Sequence, residues 1–264
     1  RISQLVVGLF VDATAVGYYA LALRVLLTAI SLAINPLERV ALPVLSRFVS
    51  DPVEFRRTYR KMILVANSIW TPAAVALAAG APVLVPLLFG NKWLPAAPVL
   101  QAMCFTAPTL GLWFLSGVAL AALGQPQRFT KLAISYVALG CVAFPLASRF
   151  GIIAAGATWA MLSLLMVPLH LVVVRRACGL RIWHVLSDSL RVTTSAIAML
   201  AVILAVEARL GADLPPLLVA WAAGGLIYLL LLQFVLLPGY VGRMLALLRN
   251  AIIPSHPMPR EEAI

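Results

Sequence analysis

Arg24 is the residue whose chemistry stands out in this chain: it lies inside an apolar stretch, residues 16–34, closed by Asn35 and Pro36. A permanent charge within a membrane-length helix costs about 2.5–3.5 kcal/mol on insertion scales, so by default it faces a cavity, a partner or a substrate. It sits eight residues inside one end of the stretch, about 12 Å deep at 1.5 Å per residue. From there its long side chain can also snorkel back to the headgroups, and both readings stand at this point. In a cavity, a guanidinium suits phosphate or pyrophosphate, which it binds bidentately. The expected substrate is therefore anionic, with Asn35 adding hydrogen bonds beside it. Asn67, Gln101 and Gln233 also fall inside apolar runs; they can face a cavity or make interhelical hydrogen bonds of about 0.6 kcal/mol each.

Other chemistries find no constellation. The nine acids, Asp12, Glu38, Asp51, Glu54, Asp188, Glu207, Asp213, Glu261 and Glu262, fall at the ends of apolar runs or between them, so no pair of buried carboxylates for acid and base catalysis is expected. His170, His184 and His256 lie far apart, without a second ligand at metal spacing. His170 reads most simply as a polar interface residue near one end of its span rather than a proton relay. Cys104, Cys141 and Cys178 are odd in number and widely spaced, which suggests neither a disulfide framework nor a zinc site. There is no phosphate-binding glycine loop and no nucleophile elbow. The expectation is a protein that is not an enzyme and uses no cofactor and no metal.

The elements that hold Arg24 follow from hydropathy. Hydrophobic residues make up 63% of the chain, charged residues 11%, and the mean hydropathy is +1.02, far from the roughly 25% charge of soluble domains. About 20 apolar residues cross a bilayer as a helix, so the reading is an all-α, polytopic membrane bundle. The apolar runs place a partial span at 2–11 and further spans at 16–37, 62–79, 96–123, 132–148, 152–174, 192–206 and 217–237, eight in all. Residues 82–89 are too short to span and extend the third helix beyond a proline kink. Prolines recur in these runs, at Pro36, Pro43, Pro72, Pro82, Pro86, Pro108, Pro145 and Pro168; interrupted helices are how transporters line and flex a central cavity. Pro36 and Pro72 are the candidate hinges.

The connections fix an orientation. One alternate set carries fourteen basic residues, among them Arg47, Arg56, Arg57, Arg60, Lys61, Arg128, Lys131, Arg175, Arg176, Arg181 and Arg191; the other carries Lys92, Arg149 and Arg209. Lysine and arginine concentrate on the cytoplasmic side, so the first set is cytoplasmic and the C-terminus is inside. Anionic headgroups account for this charge, and nucleic acid is not an expected partner. Asp51, Pro52 and Glu54 fit an N-cap, an N1 proline and an N3 acid, so 51–61 reads as a short basic helix lying at the headgroups. Residues 254–264, with three prolines and several charges, read as a disordered tail. The chain opens at Arg1 in the middle of an apolar pattern and reads as a fragment.

Several segments resemble a known family. Gly17, Tyr18, Tyr19, Ala20 and Arg24, then Leu42, Pro43, Leu45 and Ser46 before the charged loop, are similar to the second half of Wzx-like flippases of the multidrug, oligosaccharidyl-lipid and polysaccharide exporter superfamily. Pro82, Val83, Leu87, Leu88, Phe89, Gly90, Lys92 and Trp93 resemble its external loop. Ala122, Leu123, Gly124, Gln125 and Pro126 resemble its next cytoplasmic turn, and the likeness covers about residues 1–176. It implies a six-helix C-terminal transport lobe over 1–174, a linker with two appended helices over 175–253, and an N-terminal lobe absent from this sequence. It also implies a multi-pass protein of the bacterial inner membrane. The implied activity is movement of an undecaprenyl-pyrophosphate-linked oligosaccharide from the cytoplasmic to the periplasmic leaflet by alternating access, for exopolysaccharide, capsule or O-antigen synthesis. Implied partners are that lipid-linked sugar, the bilayer, the other lobe and the polysaccharide polymerase machinery, with Arg24 matching a headgroup-contacting arginine of the related lipid II flippases.

Two other classes remain on the residues alone. A cation-coupled multidrug exporter of the same superfamily places an acid in its cavity, and Asp12, at a helix end, is the one candidate in the early spans. A membrane-embedded enzyme of envelope synthesis needs clustered histidine, arginine or acid in an outer loop, and the outer loops here are short and sparse.

Overall fold

The structure is a computed structural model and describes residues 13–211 and 213–236. Among them are eight α-helices and no strand: α1 (Ala13–Ser46), α2 (Pro52–Phe89), α3 (Ala96–Cys104), α4 (Leu110–Ala122), α5 (Pro126–Ser148), α6 (Ile152–Cys178), α7 (Ile182–Leu210) and α8 (Leu214–Leu230), the last running into a wider turn at Leu231–Leu236. Six segments are long and apolar enough to cross a membrane, as the polytopic all-α reading expects. The expected partial span at 2–11, with Asp12, and the tail at 254–264 lie outside the described residues.

Three boundaries differ from the sequence expectation. Asn35 and Pro36 do not close the first apolar helix: α1 passes through Pro36 and Pro43 to Ser46, because a proline removes one intrahelical bond and the neighbouring turns carry the helix on. The basic stretch after Asp51 is not a separate headgroup helix but the first turns of α2. Asp51 caps that helix, its carboxylate accepting from Val53 N at 2.9 Å and Glu54 N at 3.2 Å. With 38 residues, α2 is about 57 Å long against a hydrocarbon core of about 30 Å, so its charged start projects beyond the apolar layer. It ends at Gly90, φ 93°, a backbone angle that glycine adopts without a Cβ penalty.

The expected single span at 96–123 is two helices. Pro108 has no N–H for the Cys104 carbonyl, and the chain tightens into i→i−3 bonds: Thr106 N to Met103 O, Ala107 N to Cys104 O and Thr109 N to Thr106 O. The hydroxyls of Thr106 and Thr109 donate to the same carbonyls, Met103 O at 3.0 Å and Thr106 O at 2.8 Å. The break is thus satisfied from within.

Helix packing centres on α2, which touches α1, α3 and α4 on one side and α7 and α8 on the other. Its Phe55, Tyr59 and Trp70 are fully buried among Leu26 and Ile34 of α1, Leu100 and Met103 of α3 and Leu115 of α4. A second cluster, Val192, Ala196, Met199, Ile203, Ala220 and Tyr228, joins α7 to α8. Lipid tails are as apolar as leucine, so such contacts rest on close packing and interhelical hydrogen bonds. Gly156 lets α6 approach Val99 of α3, and Gly224 lets α8 approach the Met199 carbonyl of α7; an added Cβ would stand 3.1 Å from either backbone oxygen.

The basic connections meet at one end of the bundle. Arg56 donates to the Cys178 carbonyl at 3.2 Å, and Arg60 grips Asp188 through Nε at 2.5 Å and Nη2 at 2.9 Å. At the other end the start of α1 meets the Lys92 turn, where Tyr18 contacts Trp93 edge-on at 5.9 Å.

Candidate functional site

Arg24 is exposed on α1, and so is Asn35. At 3.6 residues per turn, eleven residues bring them to within about 20° of each other around the helix and about 16 Å apart along it. Thr28 and Ser31 fall on the same side between them. The Thr28 hydroxyl donates to Arg24 O and the Ser31 hydroxyl to Thr28 O, both at 2.8 Å. These hydroxyls are satisfied within the helix, whereas the Arg24 guanidinium and the Asn35 amide have no hydrogen-bond or ion-pair partner among the described residues. The i, i+4, i+7, i+11 spacing of this stripe was open to sequence reading, which singled out only its two ends.

Beside the stripe is a cavity of about 200 Å³ whose wall includes Leu27 of α1, Trp113 of α4, Tyr136 of α5, and Trp159, Ser163 and His170 of α6. Leu27 is three residues from Arg24, so the cavity flanks the stripe. Trp113 organises the wall: its ring lies 4.9 Å from Tyr136, edge-on, and 4.7 Å from His170, tilted by 45°. Gly117 makes room for Phe129, whose ring an added Cβ would meet at 3.2 Å. A wider groove of about 580 Å³ continues from Trp113 and Phe114 past Gly117 to Glu38 and Leu42 of α1. His170 does lie at a helix interface, as expected, but it also lines the cavity, and neither ring nitrogen has a hydrogen-bond partner among the described residues. No short sequence signal marks that cavity, because its wall comes from four helices.

Two of the further polar candidates, Asn67 and Gln101, serve as staples. Pro82 deprives the Ala78 carbonyl of its donor four residues on, and Gln101 of α3 donates to that oxygen at 3.0 Å. Pro72 does the same to Ser68 O, which accepts from the Tyr228 hydroxyl of α8 at 2.9 Å. Asn67 reaches Ser189 of α7 at 3.2 Å. Asn67 and Gln101 therefore bridge helices. Of the candidate hinges, Pro36 lies on the exposed side of α1, and Pro72 is half-buried in α2.

The helices thus form a polytopic membrane bundle in which a polar stripe headed by Arg24 lies beside an aromatic cavity. A family model described as "Polysaccharide biosynthesis protein" matches residues 1–98, which hold the whole stripe and all of α2. Three relatives agree. The teichuronic acid biosynthesis protein TuaB of Bacillus subtilis is 27% identical over 126 residues, 47% of this chain and 26% of that protein. The lipopolysaccharide biosynthesis protein WzxC of Escherichia coli is 32% identical over 105 residues, 39% and 21%. An uncharacterized membrane protein of the cps region of Klebsiella pneumoniae is 33% identical over 99 residues, 38% and 20%. Over its first part the chain is thus similar to Wzx-like membrane proteins of polysaccharide biosynthesis. The matched segments span about a quarter or less of these relatives' length. No solved structure matches the chain.

Proposed function

We propose that the protein works as a flippase for polyprenyl-pyrophosphate-linked oligosaccharides, and that α1 lines the route. The observation that carries this is the stripe headed by Arg24: an exposed guanidinium without a partner among the described residues, followed at helical spacing by Thr28, Ser31 and Asn35 in the otherwise apolar segment 20–35 of α1. Facing lipid, the arginine would cost about 2.5–3.5 kcal/mol near the helix centre. Facing a watery cavity closed by a second lobe, the stripe is an asset. Flipping breaks no covalent bond; it needs a path on which sugar and pyrophosphate never meet bare hydrocarbon while the polyprenyl tail stays in lipid. Arg24 is suited to grip the pyrophosphate bidentately, and Asn35 to meet hydroxyls further along. Bending at Pro36, on the exposed side of α1, lets the path open to either leaflet in turn, while Pro72 is held by the Tyr228 bond. The basic end, with Arg56, Arg60 and the 175–191 connection, faces the cytoplasm of a bacterial inner membrane, and the likeness to lipopolysaccharide and teichuronic acid biosynthesis proteins supports a role in surface polysaccharide synthesis.

The test is Arg24→Ala in the full-length protein. Surface polysaccharide is expected to be lost while membrane insertion, read by membrane fractionation, stays normal. Arg24→Lys should restore part of the activity, because it keeps charge without the bidentate fork. Wild-type polysaccharide in Arg24→Ala removes the arginine from the mechanism.

A further inference from the structure

The cavity beside the stripe, at about 200 Å³, is smaller than the roughly 300–1,000 Å³ of sites for drug-sized ligands and fits one six-membered ring with its substituents. Two indoles and a phenol, Trp113, Trp159 and Tyr136, supply much of its wall. Alone they would make a dry hole, since cavities that stay empty are apolar. His170 changes its character. It is 2% exposed, yet neither Nδ1 nor Nε2 has a hydrogen-bond partner among the described residues, and its tilted stack on Trp113 at 4.7 Å occupies neither nitrogen. A buried polar group left in that state calls for an occupant.

We propose that this cavity is a saccharide subsite that takes a single pyranose ring of the lipid-linked substrate, with His170 bonding its hydroxyls; the inference rests on the flippase reading above. A neutral imidazole offers one donor and one acceptor, and a sugar hydroxyl both donates and accepts. A pyranose pairs apolar C–H faces with a polar rim, which suits flat aromatic walls around one imidazole. Ser163 and Thr109 line the same space, and their protons already go to Trp159 O at 2.9 Å and Thr106 O at 2.8 Å. The Thr109 oxygen is left to accept from the sugar, while Ser163 is also hydrogen-bonded to the Tyr136 side chain. Among the described residues no carboxylate lines the cavity, which favours a neutral ring over a cation in an aromatic cage. Leu27 on the wall is about one turn from Arg24, so one molecule can place a ring in the cavity and a pyrophosphate at Arg24.

The test uses full-length protein in lipid nanodiscs, with tryptophan emission titrated against bare undecaprenyl pyrophosphate and the same lipid bearing glucose, galactose or N-acetylglucosamine. His170→Phe keeps the ring and removes both nitrogens. It should weaken the best sugar-bearing lipid about tenfold and leave the bare lipid unchanged, whereas Arg24→Ala should weaken both alike. Unchanged binding of every sugar-bearing lipid by His170→Phe overturns the subsite, and so does an equal loss for bare and sugar-bearing lipids. Quenching by tetramethylammonium that the sugar-bearing lipids do not compete away identifies a cation cage instead. If the wild-type protein binds neither kind of lipid, the flippase reading fails, and the subsite with it.

Discussion

Removing one oxygen atom from α8 should destabilise the bundle only while α2 carries its proline. Pro72 has no N–H, so the Ser68 carbonyl lacks its intrahelical donor, and the Tyr228 hydroxyl fills the gap at 2.9 Å. Both residues are buried. Interhelical hydrogen bonds in membranes average about 0.6 kcal/mol, because the freed partner finds another donor. This carbonyl has no other in its own helix, so Tyr228→Phe should cost the stranding of a buried acceptor, about 1–3 kcal/mol. At about 2–4 °C per kcal/mol for chains of 150–250 residues, the melting point should fall by several degrees. Pro72→Ala restores the donor, and in that background Tyr228→Phe should cost no more than about 0.6 kcal/mol. The assay is thermal unfolding of the four proteins of this cycle in one detergent, followed by tryptophan fluorescence. Equal losses from Tyr228→Phe with and without Pro72 would refute the staple.

The Arg60–Asp188 pair should respond unequally to its two halves. Arg60→Met strands a carboxylate that is 5% exposed, with Arg191 4.0 Å away as its remaining cation, and should cost about 2–4 kcal/mol, near the range for a broken buried pair. Asp188→Ala leaves a guanidinium that is 39% exposed and reached by water, so about 1 kcal/mol is expected; thermal unfolding that ranks the two in reverse contradicts this. Gly224→Ala would set a Cβ 2.9 Å from Ile203 Cγ1 and 3.1 Å from the Met199 carbonyl. Backbone cannot yield as a side chain can, so α7 and α8 must part at about 1–3 kcal/mol. Its neighbour Gly225, with nothing within 4 Å, should accept alanine with no loss of melting temperature.

What was legible in the sequence was whatever local pattern decides. Apolar runs located α1, α2 and α5 to α8, and the Asp51-Pro52-Glu54 start of α2 stood out because a cap is chemistry among near neighbours. The helix ends around prolines were not legible in the same way. Pro36 and Pro108 look alike in sequence, yet α1 runs through the first and the chain turns at the second, where Thr106 and Thr109 offer hydroxyls to the carbonyls around the break. Asp188 read as an acid near a span end; its partner Arg60 is 128 residues earlier, and no local pattern announces such a pair. Arg24 and Asn35 were found as isolated polar residues. Their membership of one stripe is a matter of phase around a helix whose expected span, 16–37, already held all four residues, so the i, i+4, i+7, i+11 spacing was legible.

Proline chemistry also separates the braced parts of the bundle from the part left free to bend. Pro72 and Pro82 each release a carbonyl of α2, and each is answered by a side chain from another helix, Tyr228 and Gln101. Bending α2 at either point would break a bond to α8 or α3, so α2 acts as the fixed post on which the bundle is assembled. Pro36 is placed differently. It lies on the exposed side of α1, and the carbonyl it releases belongs to Leu32, which is 74% exposed. Water in a cavity can satisfy that oxygen in more than one geometry, where a buried side chain can do so in only one. If α1 grips a substrate as proposed, it must move relative to the helices that do not, and it carries Arg24 and this unbraced proline together.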